Sequence, residues 1–144
     1  MKLSIIIPAY NEEKRISRTL SSYLSFFLKR LKDFEIIVVI NNTKDDTLKV
    51  VKSFKNKKIK YLNFKEAIGK GGAIIEGFKA GKGDYLSYAD EDMSTNPEQF
   101  YELFSKIDNY DGIIASRWIK GARVYPRQTF LRRIASRSFN FIMK

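Results

Sequence analysis

Short β-branched runs alternate with longer helical patterns along this chain, and that alternation constrains its fold more than any other feature. Leu3 to Pro8 ("LSIIIP"), Phe34 to Ile40 ("FEIIVVI"), Ile59 to Asn63, Tyr85 to Ala89 and Gly112 to Ser116 read as five strands, the first two of them buried. Between them, Ile16, Leu20, Leu24, Phe27 and Leu31 recur in steps of three and four, the core stripe of a helix. Leu48, Val51 and Phe54 mark a second helix, and Ile74, Ile75 and Phe78 give the inward face of a third over Gly71 to Ala80. Asn96-Pro97-Glu98-Gln99 starts a fourth, with Asn as cap, Pro at the first position and Gln completing a capping box. Strand–helix alternation predicts an α/β fold, a mostly parallel sheet with helices on both faces, in a single domain over 1–144.

In such sheets ligands bind beyond the carboxyl ends of the strands. "PAYNEE" follows the first strand, "NNTKDD" the second, "FKEAIGKGGA" the third, "DEDMS" the fourth and "SRW" the fifth. The layout therefore predicts that these polar segments converge on one rim.

Composition narrows the chemistry. The 144 residues contain no cysteine and no histidine. Disulfides, thiolates and the usual general base and zinc ligand are excluded, so any metal is held by oxygen, which points to magnesium or manganese. No apolar run approaches the ~18–20 residues of a membrane-spanning helix, and the N-terminal apolar run is too short for a signal peptide. The net charge is +11, unevenly placed. Gly112 to Lys144 holds six arginines, two lysines and no acidic residue, whereas the first 111 residues hold 19 basic and 16 acidic ones. Residues 116–144 are expected to be a basic tail facing phosphates or an anionic membrane.

Four motifs carry competing readings. Asp90-Glu91-Asp92 ends a strand; in a nearly extended chain Asp90 and Asp92 point one way, towards a cation bridging two phosphates, and Glu91 points elsewhere. An acidic turn before a helix explains the same residues. Gly69-Lys70-Gly71-Gly72-Ala73 resembles a phosphate-cradling loop, with Lys70 as the contact, or is a turn that packs tightly. In Pro8 to Glu13, Asn11 serves as a plain helix cap unless a nucleotide is bound there. The tail from Arg127 places Phe130, Leu131, Ile134, Ala135, Phe141 and Ile142 on one helical arc and Arg132, Arg133 and Arg137 elsewhere. It reads as a core-packing helix, a lipid-surface helix or a phosphate grip.

Together "IIIPAYNEE", "GKGGAIIEGFKAGKGDYLSYADEDMSTNPE" and "ASRWIKG" with its later arginine pair resemble the family-2 glycosyltransferases, most closely the dolichyl-phosphate mannose and glucose synthases. The resemblance spans essentially the whole chain and implies a Rossmann-like nucleotide-diphospho-sugar transferase fold. It implies that Pro8, Ala9, Tyr10 and Glu12 line the nucleotide pocket. Asp90 and Asp92 would serve metal and diphosphate, with Ser94 near the metal, and Arg117 and the Arg132/Arg133 pair would face the donor and acceptor phosphates. Where the family carries "DDGS", this chain has Ile40-Asn41-Asn42-Thr43, so Asn41 is the expected base contact. The resemblance further implies a metal-dependent, inverting transfer of a hexose from GDP or UDP to a polyprenyl phosphate, with no nucleic acid involved. Asp92, Arg117 and Arg133 are the expected catalytic residues, acting on the cytoplasmic membrane face. The family normally continues beyond Lys144, so a fragment, a minimal form and a chain needing a membrane-anchoring partner are all open expectations. Transfer to a saccharide hydroxyl and a catalytically silent basic lipid- or polyanion-binding module are the alternatives.

Overall fold

The computed structural model of the chain describes residues 2–116. Arg117, Arg132, Arg133 and the amphipathic tail lie outside the described residues. Two compact units divide the chain, Met1–Lys106 and Ile107–Lys144.

The first unit holds four parallel strands: β1 (Leu3–Ala9), β2 (Phe34–Asn41), β3 (Ile59–Phe64) and β4 (Tyr85–Tyr88). They lie in the order β3-β2-β1-β4. Four helices connect or follow them: α1 (Ile16–Arg30), α2 (Thr47–Ser53), α3 (Gly69–Ala80) and α4 (Pro97–Phe104). β1 and β2 are buried along their whole length, as expected for central strands covered on both faces. The predicted α/β architecture is thus present.

Side-chain alternation divides the core into two layers. On one face Ile6, Ile37 and Val39 pack against Ala73 of α3. On the other, Phe27 of α1 meets Phe34 at 5.7 Å and Phe100 of α4 at 6.0 Å between ring centroids, and Tyr85 meets Phe104 at 5.6 Å. The last two are edge-to-face, a geometry that adds about 0.5–1.5 kcal/mol per pair beyond area burial.

The inward face of α3 differs from expectation. Ile75 is 55% exposed, while Ala73 and Gly77 are the buried residues. The helix lies so close to the sheet that a Cβ on Gly77 would stand 2.5 Å from Ile6 Cγ2. Phe78 packs against the Ile6, Ile37 and Val39 cluster as expected, and the small residues Ala73 and Gly77 complete the inward face in place of Ile75.

A second departure is at the first helix. Asn11 caps nothing: it is left-handed at φ 55°, and α1 begins only at Ile16, after a turn in which Arg15 and Ile16 donate to the Glu12 carbonyl. Asn96, by contrast, caps α4 through the expected box with Gln99. The stripe of α1 also shifts, because Thr19 and Tyr23 are buried beside Ile16, Leu20 and Phe27, whereas Leu24 and Leu31 are half-buried.

In the second unit the described residues form a 3₁₀ turn, Ile107–Asn109, followed by irregular chain. The fifth strand expected over Gly112 to Ser116 is not formed. The chain is irregular over these residues, because an apolar run makes a strand only where a ladder partner is present.

At the amino ends of the strands, opposite the functional rim, Glu35 is 2% exposed. Its carboxylate accepts from Ser4 Oγ at 2.7 Å, Lys60 Nζ at 2.6 Å and the Lys82 N–H at 2.7 Å. One side chain therefore ties β1, β2, β3 and the α3–β4 turn together.

Candidate active site

The order β3-β2-β1-β4 reverses direction between β1 and β4, and ligands of open α/β sheets bind at such a switch point. Pro8 stands there without harming the sheet. In β1, Leu3 donates towards the β2 side and the Ile6 carbonyl accepts from Ala89 on the β4 side. Residues alternate, so Pro8 faces β4, whose pairing with β1 has already ended at Ile6–Tyr88. Its missing N–H costs no ladder bond.

The β1–α1 and β2–α2 loops are stitched together beyond the strands. Asn11 N–H donates to Thr43 Oγ1 and Lys44 N–H to Asn11 Oδ1. Glu12 N–H meets Thr47 Oγ1 at 2.7 Å, Glu13 N–H meets Asp45, and Asp46 N–H returns to Glu13. Asn42 is left-handed at φ 50°, a conformation asparagine tolerates better than most residues.

A cleft of about 340 Å³ opens at this rim, lined by Pro8, Ala9, Tyr10, Asn41, Lys70 and Glu91 among others. Five sequence-predicted residues meet there from three separate segments. Tyr10 is 54% exposed, with its ring available for stacking. Asn41 is 8% exposed, and its Oδ1 accepts the Ile68 N–H at 2.9 Å, fixing the entry to α3. Gly69 follows at φ 68°, a turn that its lack of Cβ makes accessible. Lys70, in the first turn of α3, reaches Asp90 at 2.5 Å. That bond raises the Lys70 pKa, with burial opposing.

The acidic segment does not continue extended. The chain turns at Glu91–Asp92, so Asp90 and Asp92 meet different cations: Asp90 binds Lys70, and Asp92 lies in the field of Arg15. Glu91, expected to point elsewhere, is the member of the triplet that lines the cleft. Burial, then the nearby charges of Glu12 and Asp90, push its carboxyl up. Burial acts upward on Asp92 too, but bonds from Ser94 outweigh it and hold that carboxyl below its ordinary value. Ser94 N–H donates to Asp92 Oδ1 at 2.9 Å, so Ser94 positions the predicted ligand.

Glu12 is placed off the cleft lining. It is 4% exposed and chelated by Arg15 through bonds of 2.7 and 2.6 Å. The sequence reading missed Arg15, Thr19 and Tyr23. Thr19 Oγ1 donates to the Glu91 carbonyl at 2.6 Å and Tyr23 Oη to the Thr95 carbonyl at 2.8 Å, one helical turn apart. Two hydroxyls in an apolar stripe were the available signal. A second groove, about 460 Å³, lies along α1 beside Phe26, Lys29, Arg30 and Met93, and takes in none of the predicted residues.

Among the described residues no group of three or more carboxylates is placed to hold a metal. The donor chemistry of Asp90, Asp92 and Ser94 nevertheless suits a hard cation, being entirely oxygen.

This arrangement is that of a nucleotide-sugar transferase fold, and comparison with known proteins agrees. The family model described as glycosyl transferase family 2 matches residues 4–143, and the chain belongs to that family. It is 30% identical to a dolichyl-phosphate beta-glucosyltransferase of Dictyostelium discoideum, over 99% of this chain and 48% of that protein. It is 34% identical to a dolichol-phosphate mannosyltransferase of Pyrococcus furiosus, over 86% and 35% respectively. The chain thus spans about half or less of the length of these relatives. Among solved structures, Staphylococcus aureus TarS 1-349 superposes with a TM-score of 0.60 at 30% identity, over 76% of this chain and 33% of that one. The Pyrobaculum calidifontis mannosyltransferase PcManGT, in complex with GDP-Man and Mn²⁺, gives 0.61 at 17% identity over 74% and 32%, a likeness of fold.

Proposed function

We propose that this chain carries the donor site of a glycosyltransferase that moves a hexose from a nucleoside diphosphate to a polyprenyl phosphate. The observation that carries this reading is the convergence of Pro8, Ala9, Tyr10, Asn41 and Lys70 with the acidic loop on one cleft at the sheet's switch point. The names of the dolichyl-phosphate relatives support the acceptor.

In this reading Tyr10 and Asn41 hold the base end, and Lys70 meets the diphosphate. Asp90, Asp92 and Ser94 would hold Mg²⁺ or Mn²⁺, which when bound neutralises charge on the leaving diphosphate. Arg117 and Arg133, outside the described residues, are assigned to the donor and acceptor phosphates in this reading. A lipid phosphate is ionised at neutral pH and attacks the anomeric carbon with inversion, so no strong base is needed. Residues 1–144 act as one catalytic domain, peripheral on the cytoplasmic membrane face, together with a membrane-anchoring partner. No helix among the described residues is long and apolar enough to cross a membrane.

One observation favours a second reading. Glu91 lines the cleft with its carboxyl pushed up, which is what a base for a hydroxyl acceptor needs.

Calorimetry with GDP- and UDP-sugars, with and without Mn²⁺, tests the donor site. The expected result is metal-dependent binding weakened at least tenfold in Asp92→Ala. Binding indifferent to both metal and substitution would refute the metal assignment.

A further inference from the structure

We infer that the amino rim of the sheet, opposite the cleft, is a docking surface for an acidic polypeptide segment of a partner protein. Charge in the strand-bearing unit is polarised along its strands. In a parallel sheet the connections that enter the strands gather at the amino ends and those that leave gather at the carboxyl ends. Lys2 with residues 29–35, 55–60 and 79–84, which lead into the strands, carry ten basic and three acidic side chains. Residues 10–15, 42–46, 65–70 and 89–95, which follow the strands, carry five basic and eight acidic ones. The unit therefore has two ends of opposite sign.

Hydrogen bonds join the entering segments into one surface. Lys58 Nζ donates to the Lys32 carbonyl at 2.9 Å, Leu3 N–H to the Asp33 carbonyl, Tyr85 N–H to the Lys2 carbonyl, and Lys2 N–H to Asp84 at 2.8 Å. Glu35, the buried acid of this rim, is already matched by Lys60 and Lys2. Lys32, Lys55, Lys57 and Lys82 are exposed and form no ion pair among the described residues. Uncompensated like charge repels itself, and an anionic partner relieves that repulsion.

Size and neighbours identify the occupant. β2 is eight residues long, so about 25 Å separates this rim from the cleft. A bilayer held against the lysines would keep the cleft that far from the headgroups and out of reach of a lipid phosphate, an exclusion that rests on the polyprenyl-phosphate reading above. Single-stranded nucleic acid calls for free aromatic faces beside the cations. The rings here are already covered: Lys58 lies 5.0 Å from the Phe34 centroid, Arg30 5.0 Å from that of Phe26 and Lys52 5.7 Å from that of Tyr61. Carboxylates on an extended chain need no stacking face. Four neighbouring strand ends span about 15 Å, the length of about five extended residues.

The test is the fluorescence anisotropy of a labelled ten-glutamate peptide at low salt, titrated with the full chain and with the variant Lys32→Gln/Lys55→Gln/Lys57→Gln/Lys82→Gln. The expected result is binding that weakens about tenfold in the variant and fades with added salt. Mn²⁺-dependent binding of a nucleotide sugar and the thermal midpoint are expected to match the parent. If the fourfold variant does not fold, Lys55→Gln/Lys57→Gln reads the same loss at about threefold. Equal peptide affinity in parent and variant overturns the proposal, because the binding then belongs to other basic residues. Anionic phosphatidylglycerol vesicles or an oligothymidylate bound more tightly than the peptide, and released by the same substitutions, overturn it in favour of a membrane or a nucleic acid. Failure of both proteins to bind any nucleotide sugar refutes the donor site separately and leaves the peptide result to be read by itself.

Discussion

Lys70 and Asp90 form an ion pair between a helix start and a strand end, with side chains 57% and 36% exposed. In the proposed site the same lysine belongs on a diphosphate and the same carboxylate on a cation. Each therefore occupies the other's ligand position until both ligands arrive. Lys70→Ala should tighten Mn²⁺ binding by up to about fivefold, the equivalent of the ~0.2–1 kcal/mol of an exposed pair. It should also weaken nucleotide-diphosphate binding. Calorimetry with each ligand separately reads both directions, and a parallel loss of both would sink the idea. Both residues were legible as motifs, but their pairing was not, since they are 20 positions apart and meet only once α3 packs on the sheet. Glu91 was misplaced for a local reason: alternation holds in an extended chain, and the backbone turns there.

Elements show the same division between pattern and contact. β-Branched runs marked β1 and β2 because strands buried on both faces need little else. Gly112 to Ser116 has similar composition and forms no strand, because a ladder partner cannot be read from the run itself. On α1 the apolar period was visible, while Thr19 and Tyr23 were passed over as polar interruptions. Their hydroxyls hold the carbonyls of Glu91 and Thr95, fastening the acidic loop to the helix. Burial raises the Tyr23 pKa, so the phenol remains a donor through the neutral range. Tyr23→Phe removes that donor and leaves a carbonyl unpaired, for an expected loss of about 0.5–1.5 kcal/mol in a urea titration. Weaker Mn²⁺ binding in the same variant separates a fastening of the loop from a general packing defect, which would leave metal affinity unchanged.

Across the whole molecule, the rim opposite the cleft carries a pH-dependent clasp. Burial alone would raise the Glu35 carboxyl, but bonds from Lys60, Ser4 and Lys82 bring it down to about 2 from an ordinary 4.5. A lowered folded-state pKa contributes stability that is complete above pH 4.5 and disappears as pH falls towards 2. The contribution is on the order of 3 kcal/mol. Urea midpoints from pH 7 down to 3 should fall more steeply for the parent than for Glu35→Gln, which begins lower at pH 7. Equal slopes would show that the clasp does not govern acid stability.

The stitched loops beyond β1 and β2 bear on the order of events. Five hydrogen bonds hold the wall beside Tyr10 and Asn41 before any ligand is present. Little conformational entropy remains to be lost there on binding. At the other end of the cleft, Lys70 and Asp90 must part first. A nucleotide would dock base-first against a finished surface and complete its phosphate contacts second, so a nucleoside without phosphates should associate as fast as the diphosphate and depart sooner.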